Sequence, residues 1–212
     1  YVRDASGNTM SVYTAAGEAV PVQAEAHIYG SSRLGMQTQL TVAPAAVTLA
    51  AGFNDGTFST FTRGEKIFEL SNHLGNVMAT VSDRKLQHSP DNVNIDYYNA
   101  DVLTANDYYP FGMQMPGRKY SASNVYRYGF NGKENDKDAE GNNYDYGFRI
   151  YNPEIGRFLS VDQLQSKFPD ESPYCYVGNS PIVAIDPDGR YKIIVHMQYD
   201  AKTGKYTFLR IE

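Results

Sequence analysis

Tryptophan is absent from this 212-residue chain, and cysteine occurs once, at Cys175. A single thiol excludes an internal disulfide framework. Its setting in Pro-Tyr-Cys-Tyr-Val predicts a buried structural cysteine on a strand rather than a reactive one. Long apolar runs are missing too. The most apolar stretch, residues 42–51, is short and Ala-rich, well under the roughly 18–20 residues of a membrane-spanning helix. An excess of positive charge is also lacking: 19 basic and 24 acidic residues leave a net charge of -5 spread along the chain. Nucleic-acid binding needs a basic patch that releases counterions, so that class is excluded. The richest charged run, residues 133–140, carries both signs and predicts a solvated loop. The four histidines, His27, His73, His88 and His196, show no metal-ligand spacing. Neither a metal nor a cofactor is expected. No signal-peptide pattern stands in residues 1–20, and a start at Tyr1 rather than Met fits a piece of a longer protein.

Tyrosine and glycine are abundant, 18 of each. Tyr favours strands and Gly supplies the positive-φ positions of tight turns, so the pair predicts many short strands joined by hairpins. The turn signals recur along the chain. Asp4 and Gly7-Asn8 precede the alternating run Met10-Ser-Val12-Tyr13, and Asp with Gly three residues on suits a type I turn. Asn72-His-Leu-Gly75-Asn76 follows the strand-like Lys66-Ile-Phe-Glu-Leu70. Asp138 to Gly141 precedes Tyr144 and Tyr146, Asn152 to Gly156 precedes Phe158, and Asp200 to Gly204 separates Tyr199 from Tyr206. An isolated hairpin is marginal in water, so recurring hairpins imply a sheet in which each unit stacks on its neighbours. The Ala-rich residues 41–52 fit that pattern least and read as a surface loop or a loosely held strand. Helix signals are sparse. Ser160-Val-Asp-Gln163 has capping-box spacing ahead of Leu164 and Phe168, which predicts one short helix over 161–167, ended by Pro169. Tyrosine strips at 107–111 and 144–151 read as cross-strand core packing, with a carbohydrate- or protein-binding face as the alternative. The expected fold class is all-β, an antiparallel β-hairpin repeat sheet with one short helix.

Asp162 and Asp186 lie 24 residues apart, each closing an apolar run, Phe158-Leu-Ser-Val161 and Ile182-Val-Ala-Ile185. Two carboxylates brought together repel, which raises one pKa and divides base from acid toward a water, as aspartic peptide hydrolysis requires. Arg149, 13 residues before Asp162, is a candidate to orient a carboxylate or to polarise a scissile carbonyl. Both aspartates also have plain structural readings. Asp186-Pro187-Asp188-Gly189 is a turn sequence, because Pro fixes φ and Gly closes the bend. Asp162 suits the first turn of a helix, where the dipole favours an acid. Spacing alone leaves both readings open.

Residues 147–189 resemble the core that closes RHS/YD-repeat proteins. The resemblance rests on Arg149, on Asp162 after Gly156-Arg157-Phe158-Leu159-Ser160, and on a closing P-x4-D-P-x-G motif formed by Pro181, Asp186, Pro187 and Gly189. Earlier segments resemble the final YD repeats that lead into such cores: Asp4 to Asn8, His27-Ile-Tyr-Gly-Ser-Ser-Arg-Leu-Gly35 and Leu70-Ser-Asn-His-Leu-Gly-Asn-Val77. The resemblance implies a spiral β-shell sealed by a core plug and followed by a variable C-terminal passenger, often a toxin. The implied boundaries are repeat strands at 1–115, the core at 116–190 and the variable region from 191 to 212. It further implies that Asp162 and Asp186 form an autoprotease pair with Arg149, cutting the Arg190–Tyr191 bond. In relatives that cleave, Leu commonly stands at the position of Arg190. An apolar residue there anchors the bond in the shell, whereas an arginine is costly to bury unpaired. The 22 residues of the tail alternate as a β-hairpin and are too few for an enzyme domain with its own core. The implied partners are the chain's own passenger, the N-terminal remainder of the shell, and secretion-system or immunity proteins. The implied location is secreted or on a bacterial cell surface. The alternative from a different class is a noncatalytic surface structural or adhesion protein built on the same shell.

Overall fold

The structure is a computed structural model; it describes residues 1–5, 7–15, 17, 19–38, 46–47, 56–57, 62–122, 126–136 and 142–211. In chain order the first strands are β1 (Val2–Arg3), β2 (Thr9–Thr14), β3 (Val22–Tyr29), β4 (Arg33–Thr38), β5 (Ala46–Val47) and β6 (Gly56–Thr57). They are followed by β7 (Lys66–Ser71), β8 (Val77–His88), β9 (Tyr97–Tyr108) and β10 (Gln114–Ser121). The later, shorter strands are β11 (Glu134–Asp136), β12 (Asn143–Asp145), β13 (Ile150–Asn152) and β14 (Arg157–Phe158). The last three are β15 (Ala184–Ile185), β16 (Ile193–Asp200) and β17 (Lys205–Ile211). The strands pair antiparallel, from β1–β2 and β3–β4 to β16–β17. The protein is all-β, as its Tyr and Gly content predicts.

The chain forms two compact units, Tyr1–Leu70 with Thr80–Leu103, and Ser71–Ala79 with Thr104–Glu212. In the first, strands follow the order β1-β2-β3-β4-β7-β8-β9, with β5 and β6 paired separately. Asp4 and Gly7 close the β1–β2 hairpin, the Gly7 N–H donating to the Asp4 carbonyl at 3.0 Å. One face is buried through Val12, Met36 and Ile67, at the alternating positions that a pleated strand turns to one side. Gly35 sits in β4 opposite Phe68 of β7, and a Cβ there would run into the Ile67 carbonyl. Glycine is needed at that point for close backbone approach. Arg33 and Glu69 pair across the same strands at 2.5 Å. Of the Ala-rich residues 41–52, only Ala46–Val47 falls within the described residues, as strand β5.

The second unit holds a four-stranded sheet, β11-β12-β13-β14, and a three-stranded one, β15-β16-β17. The Asn152 turn joins β13 to β14, the Asn152 side chain accepting from Glu154 N–H at 2.9 Å. At the Asp200 turn, between β16 and β17, the Gly204 N–H donates to the Asp200 carbonyl at 2.8 Å. The Asp138 to Gly141 turn lies outside the described residues. The helix expected over 161–167 takes a shorter form, a three-residue 3₁₀ turn at Gln165–Lys167. The Asp162 side chain accepts the Leu164 N–H at 2.7 Å, which makes a tight local turn where a capped α-helix was expected. The solvated loop expected over 133–140 is corrected for its first part. Residues 134–136 form β11 against β12, and Lys133 reaches the Pro187 carbonyl. Charge of both signs hid a strand whose Glu134 pairs with Arg127 at 2.5 Å.

Aromatic side chains make the core of this unit: Phe130, Tyr144, Tyr146, Tyr151, Phe158 and Tyr176, with Val177 and Ala184. Tyr146 meets Phe158 edge-on with ring centroids 5.5 Å apart, and Tyr151 packs on Tyr176 at 4.4 Å. Burial pushes the Tyr146, Tyr151 and Tyr176 hydroxyls above the ordinary tyrosine range, so they stay protonated and need acceptors. Asn131 supplies one: its Oδ1 accepts from Tyr146 at 2.8 Å and from Tyr176 at 2.5 Å. Its amide nitrogen donates to the Leu74 carbonyl at 2.8 Å, which ties the 71–79 hairpin to the same centre. The tyrosine strip at 144–151 is therefore core, not a binding face. Gly112 has φ +88, and a Cβ there would lie 2.5 Å from the Phe130 ring. Phe130→Ala should cost about 3–5 kcal/mol, the scale for deleting a buried aromatic ring, and urea unfolding followed by near-UV circular dichroism checks it.

Candidate functional site

Arg149 sits two residues past the Gly147 turn and immediately before β13, on the edge of the aromatic core. Its guanidinium carbon lies 3.7 Å from the Phe158 ring centroid, and the residue is 4% exposed. A buried guanidinium needs its donors satisfied. Nη2 reaches Asp162 Oδ2 at 2.9 Å and Asp186 Oδ2 at 3.5 Å. Nη1 donates to the Pro173 carbonyl at 3.2 Å, and Nε donates to the Gly189 carbonyl. The structure thus brings Arg149, Asp162 and Asp186 together on one nitrogen. The carbonyl that Arg149 holds belongs to Gly189, one residue before the bond that the resemblance singles out.

The two carboxylates are held differently. Asp186 Oδ1 accepts three backbone N–H groups of its own turn: Gly189 at 2.7 Å, Asp188 at 3.2 Å and Arg190 at 3.2 Å. The D-P-D-G turn is therefore folded around the Asp186 side chain, and Gly189 takes φ +86 to close it. Burial pushes the Asp186 carboxyl above its ordinary value, against the pull of those N–H groups and of Arg149. With Oδ1 saturated by donors, Oδ2 is the oxygen left to carry a proton. Asp162 is less enclosed, with a side chain 12% exposed against 3% for Asp186. Both line a small cleft with Arg149, Arg190, Tyr191 and Lys192.

Pro181 is buried ahead of β15, and Pro187 sets the bend. Tyr191 is 42% exposed. Several contributing residues carried no sequence signal. Lys133 Nζ donates to the Pro187 carbonyl at 2.5 Å and lies 5.0 Å from the Tyr146 ring centroid. Asp188 pairs with Arg190, and Glu171 with Lys192, at 2.6 and 2.5 Å. Cys175 is half-buried and joins Arg157 through a single bridge rather than a strand. It also lines the cleft. Among the described residues, no group of three or more His, Cys, Asp or Glu is placed to hold a metal, and no helix is long and apolar enough to cross a membrane.

By fold and site, the chain is an antiparallel β protein whose second unit gathers two aspartates on one buried arginine beside a D-P-D-G turn. Its relatives are toxin subunits and a surface protein, in coarse agreement with the resemblance seen in the sequence. It is 36% identical over 118 residues to toxin subunit YenC1 of Yersinia entomophaga, a match covering 51% of this chain and 12% of that protein. To toxin subunit YenC2 of the same organism it is 36% identical over 90 residues, 42% of this chain and 9% of the relative. Salivary gland surface protein 1 of Aedes aegypti is 36% identical over 110 residues, 51% of this chain and 3% of its own length. The chain thus spans only a small part of each relative. No family model matches it. Among solved structures it is similar to TcdB2-TccC3 without the hypervariable C-terminal region, at 18% identity and a TM-score of 0.45, covering 89% of this chain and 10% of that one. The TcdB2-TccC3-Cdc42 structure gives 17% identity, a TM-score of 0.43 and the same coverage. Superposition at that level settles no shared fold by itself.

Two measurements test the electrostatics. Arg149→Ala leaves two enclosed carboxylates without their cation and should destabilise the fold by about 3–5 kcal/mol, read from the urea midpoint. Asp186 gives a pH signature. A carboxyl raised on folding favours the folded state when protonated, so its contribution is full below the ordinary value of 3.8 and is lost as pH rises through the raised value. Asp186→Asn keeps the Oδ1 acceptor and stays neutral. Its stability relative to wild type should therefore climb between acid and neutral pH; parallel unfolding profiles would reject a raised Asp186.

Proposed function

We propose that the chain is a segment of an RHS-type β-shell with its core plug, which encloses or presents a C-terminal passenger, and that the plug cuts its own chain after Arg190. The shell strands occupy 1–115, the plug 116–190 and the start of the passenger region 191–212. The observation that carries the cleavage is Arg149, which holds both aspartates and the Gly189 carbonyl at once. The likeness to toxin subunits supports a toxin as passenger and a secreted or cell-surface location. The partners are then the passenger, the rest of the shell, and the secretion and immunity proteins that such a passenger requires.

In this mechanism Asp162, the more open carboxylate, takes a proton from a water. The water oxygen adds to the Arg190 carbonyl carbon, and the carbon–nitrogen bond to Tyr191 breaks. Asp186 gives its Oδ2 proton to the departing Tyr191 nitrogen, leaving an Arg190 carboxylate and a Tyr191 amine with one water consumed. Environment divides the two acids, burial favouring the protonated form at Asp186. Arg149 acts as a positioning group: it fixes the carboxylates and the backbone one residue ahead of the reacting carbonyl.

A second reading is a noncatalytic surface structural or adhesion protein, favoured by the likeness to a salivary gland surface protein. Intact mass and N-terminal sequencing of the purified chain separate the two. Self-cleavage yields a fragment beginning at Tyr191, absent from Asp162→Asn and Asp186→Asn. A chain that stays whole both as wild type and as Arg190→Leu sinks the cleavage and leaves the structural reading.

A further inference from the structure

Arg190 occupies the position before the proposed cut, where an apolar anchor would be expected and an unpaired arginine would be costly. The structure gives it a seat of its own. Asp188 Oδ2 accepts from Arg190 Nη2 at 2.6 Å and from Nε at 3.0 Å, while Asp188 Oδ1 accepts the Arg190 backbone N–H at 3.1 Å. One carboxylate thus holds both the side chain and the main chain of the same residue. On the other side, the guanidinium carbon lies 3.6 Å from the Phe148 ring centroid, within cation–π range. The two walls are tied together, since the Phe148 N–H donates to the Asp188 carbonyl at 3.1 Å. Beyond the bond, Lys192 pairs with Glu171 and Ile193 faces Ile185 across the β15–β16 ladder.

We infer that Asp188 and Phe148 form a side-chain subsite that seats Arg190 and fixes the register of the Arg190–Tyr191 bond in the cleft. The seat replaces an apolar anchor with a fork-shaped ion pair and a ring face, both of which suit the planar guanidinium better than a lysine ammonium. The residue between Pro187 and Gly189 thereby becomes specificity-determining: an acid at that position selects a base at 190. The consequence for self-cleavage rests on the reading above, but the seat itself is accessible to a separate measurement.

Trypsin supplies it, because trypsin must draw an arginine side chain into its own acidic pocket before it cuts. The full chain carrying Asp162→Asn, which removes self-cleavage, is exposed to trypsin, and the appearance of a fragment beginning at Tyr191 is timed against the other cuts. Adding Asp188→Asn, which keeps the Oδ1 acceptor and loses the charge, should speed that cut by up to about fivefold, the range of a half-exposed ion pair. Phe148→Ala should speed it too, and thermal melting confirms that each variant is folded. With Asp162 restored, Asp188→Asn should slow self-cleavage of the Arg190 chain and have no further effect on Arg190→Leu. Trypsin rates unchanged in both variants overturn the subsite. Asp188-dependent trypsin protection in a chain that never cuts itself keeps the subsite and removes the self-cleavage.

Discussion

A guanidinium taken out of water must find acceptors for a rigid fork of five donors, and the second unit is arranged around that demand. Arg149 lies flat on Phe158, so its position is inherited from the aromatic core. Its donors then reach outward to two carboxylates and two backbone carbonyls. Those acceptors come from three separate stretches: the turn at Asp162, the loop at Pro173 and the D-P-D-G turn. Each is flanked by a residue of the aromatic core, Phe158, Tyr176 and Ala184 respectively. The core brings the stretches near, and the buried charge in their midst fixes which of their oxygens turn inward. The same contacts that make the fold self-consistent also leave two acids with unequal environments on one nitrogen.

The aromatic core supplies the rigid side of this arrangement. Phe130, Tyr151, Phe158 and Tyr176 pack with few routes to rearrange, and Asn131 satisfies two buried hydroxyls from one oxygen. A half-satisfied polar group here would be worse than an apolar one, which makes the network specific as well as stable. Lys133 extends it to the site by joining the face of Tyr146 to the Pro187 carbonyl. The D-P-D-G turn is thus gripped from two directions by cations, Arg149 at the Gly189 carbonyl and Lys133 at the Pro187 carbonyl.

The strand-and-turn character was legible from residue types, because Asp or Asn followed by Gly carries its own mechanism. The turns at Asp4, Asn72, Asn152 and Asp200 all join strands in the structure. Local charge was a poorer guide. Residues 133–136 read as solvated by composition, yet Glu134 pairs with Arg127 and Lys133 reaches the Pro187 carbonyl, contacts that no spacing rule reveals. The paired aspartates were visible only as two turn residues 24 positions apart. What joins them is Arg149, whose contacts with both depend on how β13, the Asp162 turn and the D-P-D-G turn pack. Arg190 shows the same limit in reverse. Its charge looked like an obstacle because Asp188, two residues earlier, gives no sign in the sequence of turning back toward it.

The proposed cut falls inside a hairpin, and that has a consequence for what cleavage does. Ala184 and Ile185 pair with Ile194 and Ile193 across the Arg190–Tyr191 loop, and Ile194 packs against the aromatic core. Breaking the loop removes none of those contacts. It converts an intramolecular pairing into an association between two chains, held among the described residues by the β15–β16 ladder, by Ile194 on the aromatic core and by the half-exposed Lys192–Glu171 pair. Exposed pairs contribute at most about 1 kcal/mol each, and micromolar association needs about 8 kcal/mol. The Lys192–Glu171 pair alone is therefore too weak to hold a free tail. Under the proposed cut, cleavage and release are therefore separate steps: the cut breaks one peptide bond, and release requires the β15–β16 ladder and the Ile194 contact to part.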